Sequence, residues 1–163
     1  MLADLKPQLV NLLKSILHNI GVVAVGFGVA YAGKWVDSVF KLHSFASAYA
    51  IAAGALLLAA GFSLRVWAAF CFYQQRMKVI SLEPQAALIT SGPFRFSRNP
   101  LYLGGNVFVF FGAALVLGSP AALIITAAHL PLVDWFIRRE ERQLERQFGQ
   151  AWVDYNNRVR RWI

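Results

Sequence analysis

Long apolar runs alternate with short charged blocks along this chain. Residues 15–33 carry no formal charge unless His18 is protonated. At about 1.5 Å per residue, a helix of that length nearly spans a bilayer core of ~30 Å. The run 44–64 is rich in Ala, Leu and Ile, and after Arg65 the apolar character resumes through Tyr73. This second helix is expected to reach about residue 75, past the membrane surface or steeply tilted. Residues 99–133 again lack formal charge, apart from a protonated His129. One helix of that length would measure ~52 Å, more than a bilayer needs. Gly118-Ser119-Pro120 is a turn signal inside the run and predicts a helical hairpin. Spans are therefore expected near 15–34, 44–75, 101–117 and 120–138, in a single domain covering 1–163. The last helix can continue through Leu144 to Phe148, with Gly149 as its C-terminal cap. Trp152, Tyr155, Val159 and Trp162 then recur at roughly helical spacing. They predict a short amphipathic helix near 150–160 at the interface. The expected class is all-α, an integral membrane helical bundle of about four transmembrane helices.

Composition agrees with this reading. Of 163 residues, 58% are apolar, above the ~45–50% usual for soluble domains. The net charge of +8 raises the question of nucleic acid. No basic stripe interleaved with stacking aromatics exists, so anionic lipid is the expected partner. The single cysteine, Cys71, excludes an internal disulfide. His18, His43 and His129 lack metal-ligand spacing, so no metal is expected. With four spans, Lys6, Lys14, the 76–98 loop and the C-terminal arginines share one side. That side holds thirteen of the sixteen Lys and Arg residues, and the opposite side only Lys34 and Lys41. The asymmetry predicts cytoplasmic termini in a cell membrane. A competing reading takes Ala30-Tyr31-Ala32 as a signal-peptidase site, which would leave three spans in the same orientation. Spans rich in Ala and Gly pack equally well within or between chains, so the pattern fixes no oligomeric state.

Two polar blocks carry candidate chemistry. The first runs from Ser91 to Gly105. Gly92-Pro93 breaks the approach, Pro100 suits a helix start, and Asn99 could cap that helix. Free amides there could receive a carboxylate, and Tyr102 could bond a ligand one turn further in. Gly104 and Gly105 permit close approach of a helix or ligand. The second block runs from Glu140 to Gly149. Either Glu140 or Glu141 could be solvated or bind an ammonium group. Arg138 and Arg139 could snorkel or clamp an anion. Asp134, inside the last span, is expected to pair with Arg65 or Arg138. His129 should lie ~16 Å from Glu140 along the helix, too far to cooperate.

Leu88-Ile89-Thr90-Ser91-Gly92-Pro93-Phe94 followed by Arg98-Asn99-Pro100-Leu101-Tyr102 resembles the isoprenylcysteine carboxyl methyltransferase family, part of a wider group with phospholipid methyltransferases. So does Glu140-Glu141-Arg142-Gln143-Leu144, with Phe148-Gly149, Trp152 and Tyr155 after it. The resemblance covers roughly residues 60–160. It implies S-adenosylmethionine as cofactor, in a cytoplasm-facing pocket between the two blocks. Leu88, Ile89, Phe94, Asn99, Pro100, Leu101 and Tyr102 would line that pocket. Glu140, or its rival Glu141, would hold the donor's amino group. Arg138 or Arg139 would orient an acidic substrate, and Tyr102 would stand at the reacting centre. Asn99 replaces a histidine and Phe94 a tyrosine, so donor binding carries over more readily than the prenylcysteine substrate. The expected acceptor is a membrane lipid or lipidated small molecule, methylated at a carboxylate. The alternatives are methylation of a phospholipid amine and a non-catalytic membrane scaffold.

Overall fold

The computed structural model describes residues 2–77, 79 and 86–163, with side chains from residue 8 onward. Four long helices, α1 (Leu2–Phe40), α2 (Ala48–Gln74), α3 (Pro100–Leu117) and α4 (Pro120–Phe148), are each long and apolar enough to cross a membrane. A short helix, α5 (Gln150–Arg158), follows, and a 3-10 turn occupies Gly92–Arg95. No strand occurs among the described residues. The protein is an all-α membrane helical bundle whose outer faces expose Leu17, Leu56, Ile124 and other large apolar side chains. Lipid is the solvent that suits such faces, since helices satisfy their own backbone groups.

Small residues set the packing. A Cβ added at Gly54 would lie 2.6 Å from the Gly112 carbonyl oxygen, and one at Gly61 would meet the Gly104 carbonyl oxygen at 2.5 Å. The backbones of α2 and α3 therefore touch along a seam two turns long, a common way for membrane helices to associate. Ala30 packs with Ala113, Ala114 and Ala122 where α1 meets α3 and α4.

Helix α1 outruns the expected span at both ends. The charges at Lys14, Lys34 and Asp37 mark its passage beyond an apolar core but do not break it. It stops where Lys41 takes a positive φ of 53°. Ala30-Tyr31-Ala32 lies inside this unbroken helix, with Ala30 fully packed. Lys78 and the side chain of Lys6, both part of the charge asymmetry, lie outside the described residues.

Polar contacts tie each end of the bundle. At one end Ser119 Oγ donates to Asp37 Oδ2 at 2.6 Å, and the Ala121 amide donates to Asp37 Oδ1 at 3.0 Å. Ser44 Oγ and the Phe45 amide donate to the Gly118 carbonyl. The α1–α2 connection thus clasps the α3–α4 hairpin. At the other end Asn11 donates to the Tyr73 carbonyl at 3.2 Å. The two polar blocks gather at this second end.

The amphipathic C-terminal helix forms over Gln150–Arg158. Its apolar side chains, Trp152 and Tyr155, are buried against protein instead of facing lipid. The glycine hinge at Gly149 (φ 53°) turns the chain back over the end of the bundle.

Candidate active site

The approach to α3 is built around Phe94. Gly92 adopts φ 61°, and an added Cβ would come within 2.9 Å of Cys71 Sγ. The glycine therefore lets the 3-10 turn press onto α2. Phe94 then packs on Phe72, with ring centroids 5.8 Å apart, inside a cluster that includes Ala68, Cys71, Met77 and Ile89. Tyr155 donates its hydroxyl to the Phe94 carbonyl at 2.8 Å. Burial pushes the Tyr155 phenol up, so it stays protonated and donating at neutral pH.

Pro100 opens α3, as its fixed φ and missing amide suit. Asn99 precedes it without capping it. Its Nδ2 instead donates to the Arg161 carbonyl at 3.2 Å. Ser97 Oγ donates to the same carbonyl, and the Arg98 amide donates to the Arg160 carbonyl. The C-terminal segment thus ties down this loop, which also carries its own turn bonds.

Tyr102 and Glu140 join the two blocks. The Tyr102 hydroxyl donates to Glu140 Oε1 at 2.9 Å. Beside this pair lies a cleft of about 60 Å³. Leu88, Ile89, Phe94, Asn99, Pro100, Leu101, Tyr102 and Glu140 line it. Phe72, Arg98, Leu144, Trp152 and Tyr155 complete it. Leu144 follows Glu140 by one helical turn, which places both on one face of α4.

Glu141 points elsewhere, one residue and about 100° further round the helix. It binds Arg98 at 3.1 Å and Arg161 at 2.6 Å. Its hydrogen bonds hold the Arg161 guanidinium above its usual range. Arg161 also reaches Asp134 at 3.4 Å, and Arg138 binds Asp134 at 2.6 Å. Asp134 thus pairs with Arg138 as expected, and also with Arg161, but not with Arg65. Arg138 and Glu141 line a separate charged cleft on this side of α4, and Arg139 is exposed. The structure does not bring Arg138 or Arg139 to the Tyr102–Glu140 cleft. His129 bonds Asn106 and the Thr126 carbonyl, away from Glu140.

Phe72, Arg98 and Leu144 line the cleft although no motif assigns them to a pocket. Leu144 was recoverable from its spacing to Glu140. Arg98 stands in the family motif without a pocket role of its own, and Phe72 carries no local signal at all. The roles of Trp152 and Tyr155 depend on the backward fold at Gly149, which periodicity alone cannot reveal. A second chamber, about 190 Å³, adjoins the cleft at Tyr102 and Glu140 and includes Arg65 and Asn106.

No match was found among curated proteins or solved structures. The phospholipid methyltransferase family profile matches residues 49–151. That stretch runs from the start of α2 into α5 and takes in both polar blocks. Methyltransferases of this family generally use S-adenosylmethionine. The chain accordingly belongs to the phospholipid methyltransferase family, as a membrane methyltransferase.

Proposed function

We propose that the protein transfers a methyl group from S-adenosylmethionine to a carboxylate of a lipid-like or isoprenoid-bearing acceptor. The whole chain acts as one methyltransferase domain, with both termini and the cleft at the cytoplasmic face. The observation that carries this reading is the 2.9 Å bond between Tyr102 and Glu140. It joins blocks 38 residues apart at one cleft, on the pattern that the family resemblance implies.

The cleft's donor set suits this cofactor. Glu140 matches its ammonium group. Glu141 is already neutralised by two arginines, which makes it the poorer candidate. Arg98 lines the cleft, but Glu141 and the Asn156 carbonyl already hold its guanidinium, so the cofactor's carboxylate would share an arginine with Glu141. Phe72, Phe94 and Trp152 offer an apolar wall to a purine. A volume of about 60 Å³ holds only a few waters, so the cleft widens when a nucleoside enters.

When bound, the donor would supply an electrophilic methyl group for the acceptor's lone pair, its sulfonium leaving as a neutral thioether. The chain's task is alignment and exclusion of water. Glu140 fixes the donor's charged end, and Tyr102 fixes Glu140. A carboxylate acceptor is ionised at neutral pH and needs no base. A second reading, methylation of a phospholipid amine, is favoured by the family profile. An amine must first lose a proton, and Glu140, taken up by the donor's ammonium group, would not be free to receive it.

Titration calorimetry of S-adenosylmethionine into purified protein tests the reading. Wild type should bind, and Glu140→Gln should bind roughly tenfold or more weakly, the usual effect of losing a charged partner. A folded wild-type sample that shows no heat of binding sinks it. Lipidomics with isotopically labelled methyl donor separates ester from N-methyl products.

A further inference from the structure

In the second chamber Arg65 forms no salt bridge among the described residues, and Glu140, which lines the same chamber, is hydrogen-bonded to Tyr102 instead. Arg65 lies in the middle of α2, nine residues or about 13 Å before its end. It is only 8% exposed. Its Nε donates to Asn19 Oδ1 at 2.7 Å, and its Nη1 donates to the Leu101 carbonyl. Both partners are neutral. Among the described residues no carboxylate forms a salt bridge with it; the four that occur belong to Arg98, Arg138 and Arg161. A guanidinium at this depth is costly unless an opposite charge or water meets it.

The surrounding chain is shaped to admit this side chain. A Cβ added at Gly104 would lie 2.7 Å from Arg65 Cγ, and one at Gly105 would lie 2.6 Å from Nη1. The widened, π-helical stretch of α3, Leu103–Val109, begins at the same place. Such stretches cluster at functional sites. The chamber of about 190 Å³ is walled by Phe72, Val79 and Asn106 besides Arg65. It shares Phe72, Leu101, Tyr102 and Glu140 with the cleft described above. A group held at Arg65 therefore lies next to the cleft, with Tyr102 and Glu140 lining both spaces.

We propose that this chamber binds the anionic headgroup of the methyl acceptor, with Arg65 as its anion-binding residue. The acceptor is an amphiphile carrying a carboxylate or a phosphate, whose apolar tail remains in the bilayer. The inference rests on the methyltransferase reading and adds the acceptor's charge and its place. A carboxylate would itself be the nucleophile. A phosphate would anchor a headgroup whose amine reaches the donor.

Purified protein in a neutral maltoside detergent is titrated with dodecanoate, dodecyl phosphate and dodecyl glucoside, and apparent affinity is read by thermal shift. Donor affinity is measured on the same samples. One or both anionic amphiphiles should bind roughly tenfold or more tightly than the glucoside, as a charge-assisted contact requires. The better anion identifies the headgroup class. Arg65→Gln should abolish the preference while donor affinity stays within about twofold, since Arg65 does not line the donor cleft. Equal affinity for all three amphiphiles overturns the proposal, as does a preference that survives in Arg65→Gln. Should that variant fail to fold, wild type is photolabelled with a diazirine-bearing fatty acid. Adducts within 65–79 and 101–106 support the chamber, and labelling confined elsewhere overturns it. Absent donor binding in wild type sinks the functional reading; intact donor binding without anion preference sinks this inference alone.

Discussion

A few side chains carry much of the site's specificity. Tyr102 does two things: it bounds the cleft and it fixes Glu140. Tyr102→Phe should keep the fold and lower kcat/KM by about tenfold, the expected loss of ~1–1.5 kcal/mol for one hydrogen bond. Circular dichroism together with labelled-methyl turnover checks both halves of that expectation. Asp37 has a structural counterpart at the other end of the bundle, accepting from Ser119 and from the first turn of α4. Asp37→Ala should cost ~1–3 kcal/mol, by loss of a buried cap. A lowered thermal midpoint with unchanged donor affinity is the matching observation. For Tyr155 the sign follows from its raised phenol. The folded state holds the proton more tightly, so the stabilisation is complete below the unfolded value of about 10 and fades as pH rises above it. The advantage of wild type over Tyr155→Phe in denaturant should therefore shrink above about pH 10.

Helix α5 changes the character of the site. The 91–105 block alone gives a helix start and an open turn. With α5 folded back, Trp152 and Tyr155 wall the cleft, and the Arg160 and Arg161 carbonyls take bonds from the loop. Deleting 150–163 should leave the α1–α4 bundle helical but abolish donor binding, as calorimetry would show. Full donor affinity in the truncated chain would refute this role for α5. The seam between α2 and α3 is the other critical element. Gly61→Leu should prevent their contact and cost several kcal/mol or the fold itself, since an extra side chain cannot be absorbed between touching backbones. Loss of a monodisperse peak in size-exclusion chromatography would report it.

Over the whole molecule, the fold brings both polar blocks together through the Tyr102–Glu140 and Arg98–Glu141 contacts. Hydrophobic run length fixes how many helices cross a bilayer, because it is read against the fixed thickness of the hydrocarbon. The four spans, the Gly118-Ser119-Pro120 hairpin and the continuation of the last helix to Phe148 were therefore all legible in the chain. The motif residues Asn99–Tyr102 and Glu140 were legible too, because residue type and order mark them. Their meeting was expected only from the family resemblance and not from any local pattern, since 38 residues separate Tyr102 from Glu140. The choice between Glu140 and Glu141 was not legible, as it turns on a 100° difference around α4 and on where Arg161 comes to rest. Local pattern records what each segment needs from its solvent. Which charge is neutralised and which is left facing a cavity depends on partners distant in sequence, and only the folded packing of α1–α5 decided that.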